Sequence, residues 1–179
     1  ENNTIEYFHI FTNTSKLGYS HYKVFLRTVN LNETLEKEFV SFINQNQNII
    51  WFVSTRGNYD YIISILAKDT SEFNQVYNKI IEKFSENILQ RKVCIVEKAK
   101  IYSRGYLLDK PSKEYKYGSN DELLKLNKED FKILKLLSLN ARIPLIEIAK
   151  KLNVSSDKII YRVKNLVKKG FITGFGTKL

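Results

Sequence analysis

The chain has 179 residues, 43% of them hydrophobic, and a formal net charge of +10 at pH 7. This length holds one large domain or two small ones, and the ordinary apolar fraction excludes a mainly disordered chain. Nearly all of the excess charge, +9 of it, lies in residues 103–179, which favours a polyanionic partner over a surface that is charged only for solubility.

The first half of the chain opens with a strand pattern and then a helix pattern. Residues 22–29 (YKVFLRTV) are rich in aromatic and β-branched residues, which favour a strand. Asn32 is suited to cap a helix that runs to residue 44, because its side chain can accept a hydrogen bond from the first helical turn. The apolar positions of this helix share one face: Leu35, Phe39, Phe42 and Ile43.

A hairpin, a second helix and a further strand follow. Residues 49–55 and 59–67 are two apolar strands separated by a glycine-containing turn. Thr70 or Ser71 is predicted to cap the second helix, and residues 93–102 (VCIVEKAKIY) predict a fourth strand. The second helix again has one apolar face: Phe73, Val76, Tyr77, Ile80, Ile81 and Phe84.

The resulting order, β-α-β-β-α-β, predicts an α+β fold of the ferredoxin-like sandwich type over residues 19–102, with both helices on one face of an antiparallel sheet. The strands are apolar almost continuously, although a sheet covered on one face only should carry polar residues on the other. Either the second face is buried against another subunit, which we favour, or the small domain has an aromatic-rich core.

Two features bear on the compartment. Cys94 is the only cysteine, so an internal disulfide is impossible, and its apolar surroundings predict a buried thiol in a reducing cytoplasm. No apolar run approaches the roughly twenty residues that cross a bilayer, so no membrane partner is expected.

Residues 103–125 differ from the segments on either side. They contain Pro111 and Gly118, many charged residues and little apolar periodicity. Such a composition predicts a linker between the sandwich and a C-terminal domain, residues 126–179.

The C-terminal domain shows three short helix patterns and a β-rich tail. Asn127 is suited to cap the first helix, and Pro144 fits the first turn of the second. Ser155 or Ser156 caps the third helix, which ends at Gly170. The positions predicted to face the core are Phe131, Ile133, Leu134 and Leu137, then Leu145, Ile148, Ala149 and Leu152, then Ile159, Ile160, Val163, Leu166 and Val167.

The third helix combines its apolar face with a polar and basic face, as a helix-turn-helix requires to enter the major groove of double-stranded DNA. A basic helical unit that contacts only proteins is the alternative. Since the first residues of a recognition helix point at base edges, the predicted base contacts, next to the capping Ser155, are Ser156, Lys158, Tyr161 and Arg162. The predicted phosphate contacts are Arg142, Lys164, Lys168 and Lys169, and residues 171–175 are expected to form a wing.

These motifs resemble those of a known family. The runs LN-x-x-D-x-x-I-L-x-x-L, AR-I-P-x-x-E-I-A-K-x-L and R-V-K-x-L within residues 126–175 are similar to the winged helix-turn-helix of the Lrp/AsnC transcription regulators. KLGY at 16–19 and GNYDYIISI at 57–65 resemble the ligand-binding module of the same family. The resemblance implies a DNA-binding transcription regulator that forms a homodimer or higher oligomer through the sheet of its sandwich.

The order of the two modules departs from that family. Its members place the helix-turn-helix before the sandwich, whereas here it follows. Residues 5–8 (IEYF) correspond to residues 172–175 (ITGF), so residues 1–18 resemble the wing strand and lead-in of an upstream unit. We therefore expect a segment of a protein with two successive copies of the two-domain unit, the alternative being a stand-alone regulator with permuted order.

The resemblance also implies an amino-acid effector near the turn of the hairpin. The candidate residues are Thr55, Arg56, Gly57, Tyr59 and Asp60. Arg56 stands where family members usually carry a small hydroxyl residue, and its cation either blocks an amino-acid pocket or pairs with a ligand carboxylate. Asp60 is either an effector contact or a structural turn residue, and the second role is favoured.

Two other classes of function compete. Some proteins of the same layout are tetrapyrrole decarboxylases that use His and Arg at the sandwich. The only histidines here, His9 and His21, have no carboxylate or cysteine cluster around them, and the sequence has no metal-ligand spacing, nucleophile motif or phosphate loop. We therefore expect neither an enzyme nor a cofactor. A metabolite-sensing oligomer with weak DNA affinity is the remaining alternative.

Overall fold

A computed structural model describes residues 7–102, 114–118 and 125–178. In chain order its elements are β1 (Tyr7–Thr12), β2 (Ser20–Thr28), α1 (Glu33–Asn44), β3 (Ile49–Ser54), β4 (Tyr61–Ala67), α2 (Thr70–Lys83), β5 (Ile88–Ile95), β6 (Lys98–Tyr102), β7 (Glu114–Gly118), α3 (Lys128–Leu139), α4 (Leu145–Leu152), α5 (Ser156–Lys168) and β8 (Ile172–Lys178). None of the described helices is long and apolar enough to cross a membrane.

The chain forms two compact units. One, the sandwich unit, is Gly18–Glu97. The other, the helical unit, joins the described residues of the first segment, up to Leu17, to those from Lys98 onward. In this division residues 7–17 group with the C-terminal helices, and the sandwich unit ends at Glu97, five residues before the predicted bound of 102.

The sandwich unit has the predicted ferredoxin-like topology. Its four strands lie in the order β3-β4-β2-β5, and every neighbouring pair is antiparallel. Alternate residues of the central strands point to α1 and α2, as the period of two in a strand requires. The core between sheet and helices consists of Tyr22, Val24, Leu26, Phe39, Ile43, Tyr61, Ile63, Ile65, Ala67, Phe73, Val76, Ile80 and Phe84.

The helix caps confirm one prediction and correct another. Asn32 caps α1, where its Oδ1 accepts a hydrogen bond from the Leu35 amide at 2.9 Å. Asp69, instead of Thr70 or Ser71, caps α2 and accepts from the Glu72 amide at 2.8 Å. A carboxylate accepts the same bond as a hydroxyl and adds a favourable charge at the helix N-terminus, which explains the earlier start.

The fourth predicted strand is in fact two. β5 begins at Ile88, five residues before the predicted start, and pairs with β2; β6 pairs with β7 in the helical unit. Gln90, Arg91 and Lys92 of β5 are polar and exposed because β5 is an edge strand, so the first part of this strand lacks the continuous apolar signal of the others. β7 lies inside the predicted linker, whose other residues up to 124 fall outside the described part of the chain.

The face of the sheet opposite the helices carries apolar side chains. We call it the open face. Phe25, Ile62 and Val53 lie side by side on β2, β4 and β3, on the face opposite their core neighbours. Trp51 is 46% exposed, and the Lys23 ammonium lies 5.3 Å from its ring centroid. Cys94, opposite Lys23 on β5, is half-buried. The sandwich unit by itself therefore has an apolar second face, as the sequence predicts.

His21 gives the sandwich unit a predicted dependence on pH. The side chain is buried, and this burial, followed by the charge of Lys23, lowers its pKa. Because the folded state resists protonation more than the unfolded state, stability is retained above about pH 6.5 and declines as pH falls through the lowered value. We expect the urea midpoint, followed by Trp51 fluorescence, to fall between pH 7.5 and pH 5. The decline should be smaller in His21→Leu and unchanged in His9→Gln; an unchanged decline in His21→Leu would assign it to other groups.

The helical unit packs its three helices onto two strands. The buried core contains Ile133, Leu134 and Leu137 of α3, Ile148 and Ala149 of α4, and Ile159 and Leu166 of α5. Ile10 of β1, together with Phe171 and Ile172, completes it. β1 pairs antiparallel with β8, so the wing strand has a partner from the far end of the sequence.

Three residues predicted to face this core are exposed instead. Phe131 is 53%, Ile160 38% and Val167 45% exposed. The prediction from helical periodicity treated the three helices as the source of the whole core, but Ile10, Phe171 and Ile172 occupy part of it. The apolar stripes of α3 and α5 are therefore narrower than the sequence pattern indicated.

Candidate nucleic-acid interface

The turn between α4 and α5 has the geometry of a tight helix-turn-helix. Asn153 adopts a left-handed conformation with φ 53°, which Asn tolerates better than most residues. The Val154 amide then donates to the Ala149 carbonyl at 3.1 Å. Ser155, one of the two predicted caps, accepts from the Lys158 amide at 3.4 Å and fixes the start of α5. Pro144 caps α4, which begins one residue later than predicted.

Because Ile159 and Leu166 are buried, the opposite face of α5 is open to solvent. Most of the residues predicted to bind DNA lie on exposed parts of α5 or beside its ends: Ser155, Lys158, Tyr161, Lys164, Lys168 and Lys169 are exposed, and Ser156 is half-buried. An exposed, cationic helix with hydroxyl groups near its N-terminus can reach both phosphates and base edges.

Arg162 has a different environment from the other predicted base contacts. Its guanidinium donates to Asp130 Oδ1 at 2.7 Å and approaches Glu129 Oε2 at 2.5 Å, both on α3. The side chains of Arg162 and Asp130 are each only 20% exposed. This geometry suits Arg162 to hold α5 against α3, and its role in reading bases stays a prediction.

Lys158 shares one of these carboxylates. Its ammonium lies 3.3 Å from Glu129 Oε2, and both side chains are 44% exposed. An ion pair this exposed is weak and opens readily, so Lys158 remains available to a stronger anion such as a phosphate.

Arg142 lies on an aromatic ring from the beginning of the chain. Its guanidinium carbon is 3.6 Å from the ring centroid of Phe8 in β1. The Ala141 amide donates to the Phe8 carbonyl at 2.9 Å, so backbone and side chain both tie this loop to β1. Arg142 is exposed at the same time, which leaves its outer edge able to contact a phosphate.

Sequence reasoning missed the part that residues 7–17 play in supporting α5. The Lys16 ammonium donates to the Lys169 carbonyl at 2.7 Å, at the C-terminus of α5, where a cation is favourable. The Asn13 amide donates to the Phe171 carbonyl at 2.9 Å. The correspondence of residues 5–8 with 172–175 was the available signal, since equivalent strands can pair.

Replacing Arg162 by Met should destabilise the helical unit by about 1–3 kcal/mol, since two carboxylates lose a charged donor while the apolar stem is kept. Amide hydrogen exchange of α5 measures this. Asp130→Asn should have a smaller effect in the Arg162→Met background than alone, because the two side chains act as a pair. Lys164→Met serves as the exposed control. If Arg162→Met leaves exchange unchanged but alters the preferred DNA sequence, the base-reading role is correct after all.

The hairpin turn in the sandwich unit is organised by its own polar groups. The Thr55 hydroxyl donates to the Tyr59 carbonyl at 2.6 Å, and Gly57 has φ 146°, a conformation that favours glycine. Asp60 Oδ2 accepts from the Thr28 amide at 2.7 Å and from its hydroxyl at 3.0 Å. Asp60 therefore joins the turn to β2, as its favoured structural role requires. Arg56 is exposed at the tip.

In comparison with known proteins, each unit contains a match to a family model. Residues 126–173 match the model of a winged helix-turn-helix DNA-binding family, and residues 24–101 match that of the Lrp/AsnC ligand binding domain. The HTH-type transcriptional regulator Ptr1 of Methanocaldococcus jannaschii is 46% identical over 50 residues, 28% of this chain and 34% of that protein. The HTH-type transcriptional regulator LrpA of Pyrococcus horikoshii is 43% identical over 54 residues, 30% of this chain and 38% of that protein.

The chain thus spans about a third of the length of the curated relatives that it matches. Among solved structures, the siroheme decarboxylase NirDL superposes with a TM-score of 0.65 at 13% identity, over 99% of this chain and 51% of that one. At this identity the likeness shows a shared fold and nothing more.

Proposed function

We propose that the chain, which matches the models of an Lrp/AsnC ligand binding domain and of a winged helix-turn-helix, is an Lrp/AsnC-type transcription regulator that binds specific sequences of double-stranded DNA. The observation that carries the proposal is the solvent-open face of α5, with its lysines, Tyr161 and N-terminal hydroxyls. The named relatives, themselves transcription regulators, support the same class and not an enzyme.

The contacts divide by their position on α5. Ser156, Lys158 and Tyr161 lie in its first half, from which a recognition helix reaches base edges. Lys164, Lys168 and Lys169 lie in the second half, suited to phosphates. In this proposal the first group sets the sequence preference and the second group supplies affinity that is independent of sequence.

The test is selection of duplexes from a randomised pool, followed by fluorescence anisotropy of the selected and scrambled duplexes over a range of salt concentrations. We expect an enriched motif, and an affinity that falls steeply with ionic strength for both duplexes. Absence of duplex binding at low salt would contradict the proposal and leave the metabolite-sensing oligomer as the better candidate.

We further propose that two copies associate through the open face of the sandwich. Phe25, Val53, Ile62 and Trp51 form an apolar row there, and an apolar sheet face of this kind is suited to burial against a second sheet. Dimerisation would also supply two recognition helices, which dimeric regulators use to bind two half-sites.

Ile62→Lys should weaken this association by about 30-fold or more, because a lysine in the centre of an apolar interface loses hydration without gaining a partner. Sedimentation equilibrium of the wild-type chain and the variant measures the change. Ser41→Lys, which adds the same charge on exposed α1, is the matched control. Equal masses for wild type and Ile62→Lys at every concentration would place the contact elsewhere.

An amino-acid effector near the hairpin turn remains part of the proposal. The exposed Arg56 guanidinium is suited to pair with an α-carboxylate, and Thr55, Gly57 and Tyr59 surround it in the sequence. Isothermal titration with the common amino acids, repeated with Arg56→Ala, tests this role. Titration with a tetrapyrrole in the same series separates the regulator from the decarboxylase alternative, since a bound chromophore would favour the latter.

A further inference from the structure

The ladder between β1 and β8 joins two strands of unlike composition. Tyr7 lies opposite Lys178, His9 opposite Gly176, and Phe11 opposite Gly174. These three pairs share one face, since alternate residues of a strand point to the same side. On this face β1 contributes an unbroken row of aromatic rings, whereas β8 contributes the two glycines Gly174 and Gly176.

The aromatic row lies over the glycine strand at close range. Successive rings meet edge to face, with centroids 5.8 Å apart for Tyr7 and His9, and 4.9 Å for His9 and Phe11. A Cβ atom at Gly176 would lie 2.8 and 2.9 Å from two carbons of the Phe11 ring and 3.2 Å from a carbon of His9. Gly176 does not have a positive φ. Glycine is therefore required there by space and not by backbone conformation.

The residues of β1 and β8 pair in the register that two equivalent strands would have around a two-fold axis. Under the correspondence of residues 5–8 with 172–175, Gly176 is equivalent to His9, and the ladder pairs these two residues with each other. Phe8 pairs with Thr177 and Ile10 with Phe175, which exchanges equivalent positions as a two-fold requires. A strand of this type could in principle pair with a second copy of itself.

We propose that β1 and β8 are a matched pair of unlike strands that directs β8 to the β1 of its own chain and disfavours its pairing with the β8 of a second copy. Two aromatic strands in this register would collide at the central pair, and two glycine strands would leave the face without covering side chains. A second copy of the chain then associates through another surface. The inference does not depend on DNA binding.

Disulfide trapping in the full chain tests which strands pair. In a Cys94→Ser background, Phe8→Cys and Thr177→Cys place two thiols opposite each other on the face away from the aromatic row. We expect the double variant to oxidise within one chain, giving a monomer of altered mobility on a non-reducing gel. A Phe175→Cys, Thr177→Cys variant, whose thiols would oppose each other only if β8 paired with the β8 of a second copy in the equivalent register, should give no covalent dimer. A covalent dimer from the Phe175→Cys, Thr177→Cys variant, or mainly dimer from the Phe8→Cys, Thr177→Cys variant, would overturn the proposal.

A double-mutant cycle with alanine tests the fit between Phe11 and Gly176. Gly176→Ala should raise hydrogen exchange in β8 about tenfold or more, because the added methyl group displaces Phe11. In a Phe11→Ala background the same substitution should have little effect, since the space is then free. Thr177→Ala, on the opposite face of the same strand, is the control. An equal effect of Gly176→Ala with and without Phe11 would show that the fit between the strands is not the cause.

Discussion

Simultaneous replacement of Lys164, Lys168 and Lys169 by alanine is expected to weaken binding to any duplex by roughly 10²–10³-fold at about 0.1 M salt. Each lysine that neutralises a phosphate releases condensed counterions, and adds about 0.9 to the slope of log affinity against log salt. Three lost contacts should therefore lower the slope by about 2.7. Anisotropy titrations at four or five salt concentrations measure both quantities.

The positions of Lys164, Lys168 and Lys169 suit them to contact phosphates only. They are exposed and lie in the second half of α5 or just after it, away from the base-reading N-terminus. They are also distant in sequence from Glu129 and Asp130, the carboxylates that engage Arg162 and Lys158. Their loss should thus lower affinity for selected and scrambled duplexes alike and leave the preferred sequence unchanged.

A matched control separates local contacts from net charge. Replacing Lys37, Lys68 and Lys79 of the sandwich unit by alanine removes the same total charge from exposed positions outside the helical unit. This variant should retain nearly the wild-type slope. If both triple variants lose affinity equally, the binding reflects the overall positive charge of the chain, and α5 is not its recognition element.

Much of the architecture could be predicted from local sequence patterns. Asn32, Asn127 and Ser155 cap the helices at the predicted positions, because a cap depends on the residue and the few amides that follow it. The order of elements in the sandwich followed from the alternation of strand and helix periods, and the match to the Lrp/AsnC ligand binding domain and the observed sheet order bear it out.

The parts that escaped prediction depend on partners distant in sequence. Ile10 belongs to the same core as Ile172, and nothing in the local pattern of either strand indicates that contact. Arg162 looks like any basic residue on an exposed helix face until α3 brings Glu129 and Asp130 beside it. Phe131 follows the helical period and is still exposed. Periodicity predicts which side of the helix a residue faces, but not whether another element covers that side.

The packing of Ile10 in the core of the helical unit predicts a large effect on stability. Ile10→Ala should destabilise the helical unit by about 2–5 kcal/mol, the usual cost of removing a buried Ile side chain and leaving a cavity. Ile10 is 6% exposed and packs in one core with the helices α3, α4 and α5. The effect should therefore appear in helices that lie beyond the whole sandwich in the sequence.

Two probes distinguish the units within one sample. Trp51, the only tryptophan, lies in β3 and reports on the sandwich unit through its fluorescence. Hydrogen exchange of peptides from α3 and α5 reports on the helical unit. In Ile10→Ala, exchange in α3 and α5 should accelerate by a factor of roughly 30 or more, while the urea midpoint of Trp51 fluorescence stays near its wild-type value.

A reciprocal variant lies in the sandwich unit. Ile63 of β4 is fully buried in the sandwich core, so Ile63→Ala is a substitution of the same kind in the other unit. It should shift the Trp51 midpoint and leave exchange in α3 and α5 unchanged. If Ile10→Ala instead shifts the Trp51 midpoint and spares the helices, the N-terminal strand supports the sandwich unit. The helical unit would then have to maintain its core from residues 98–178 alone.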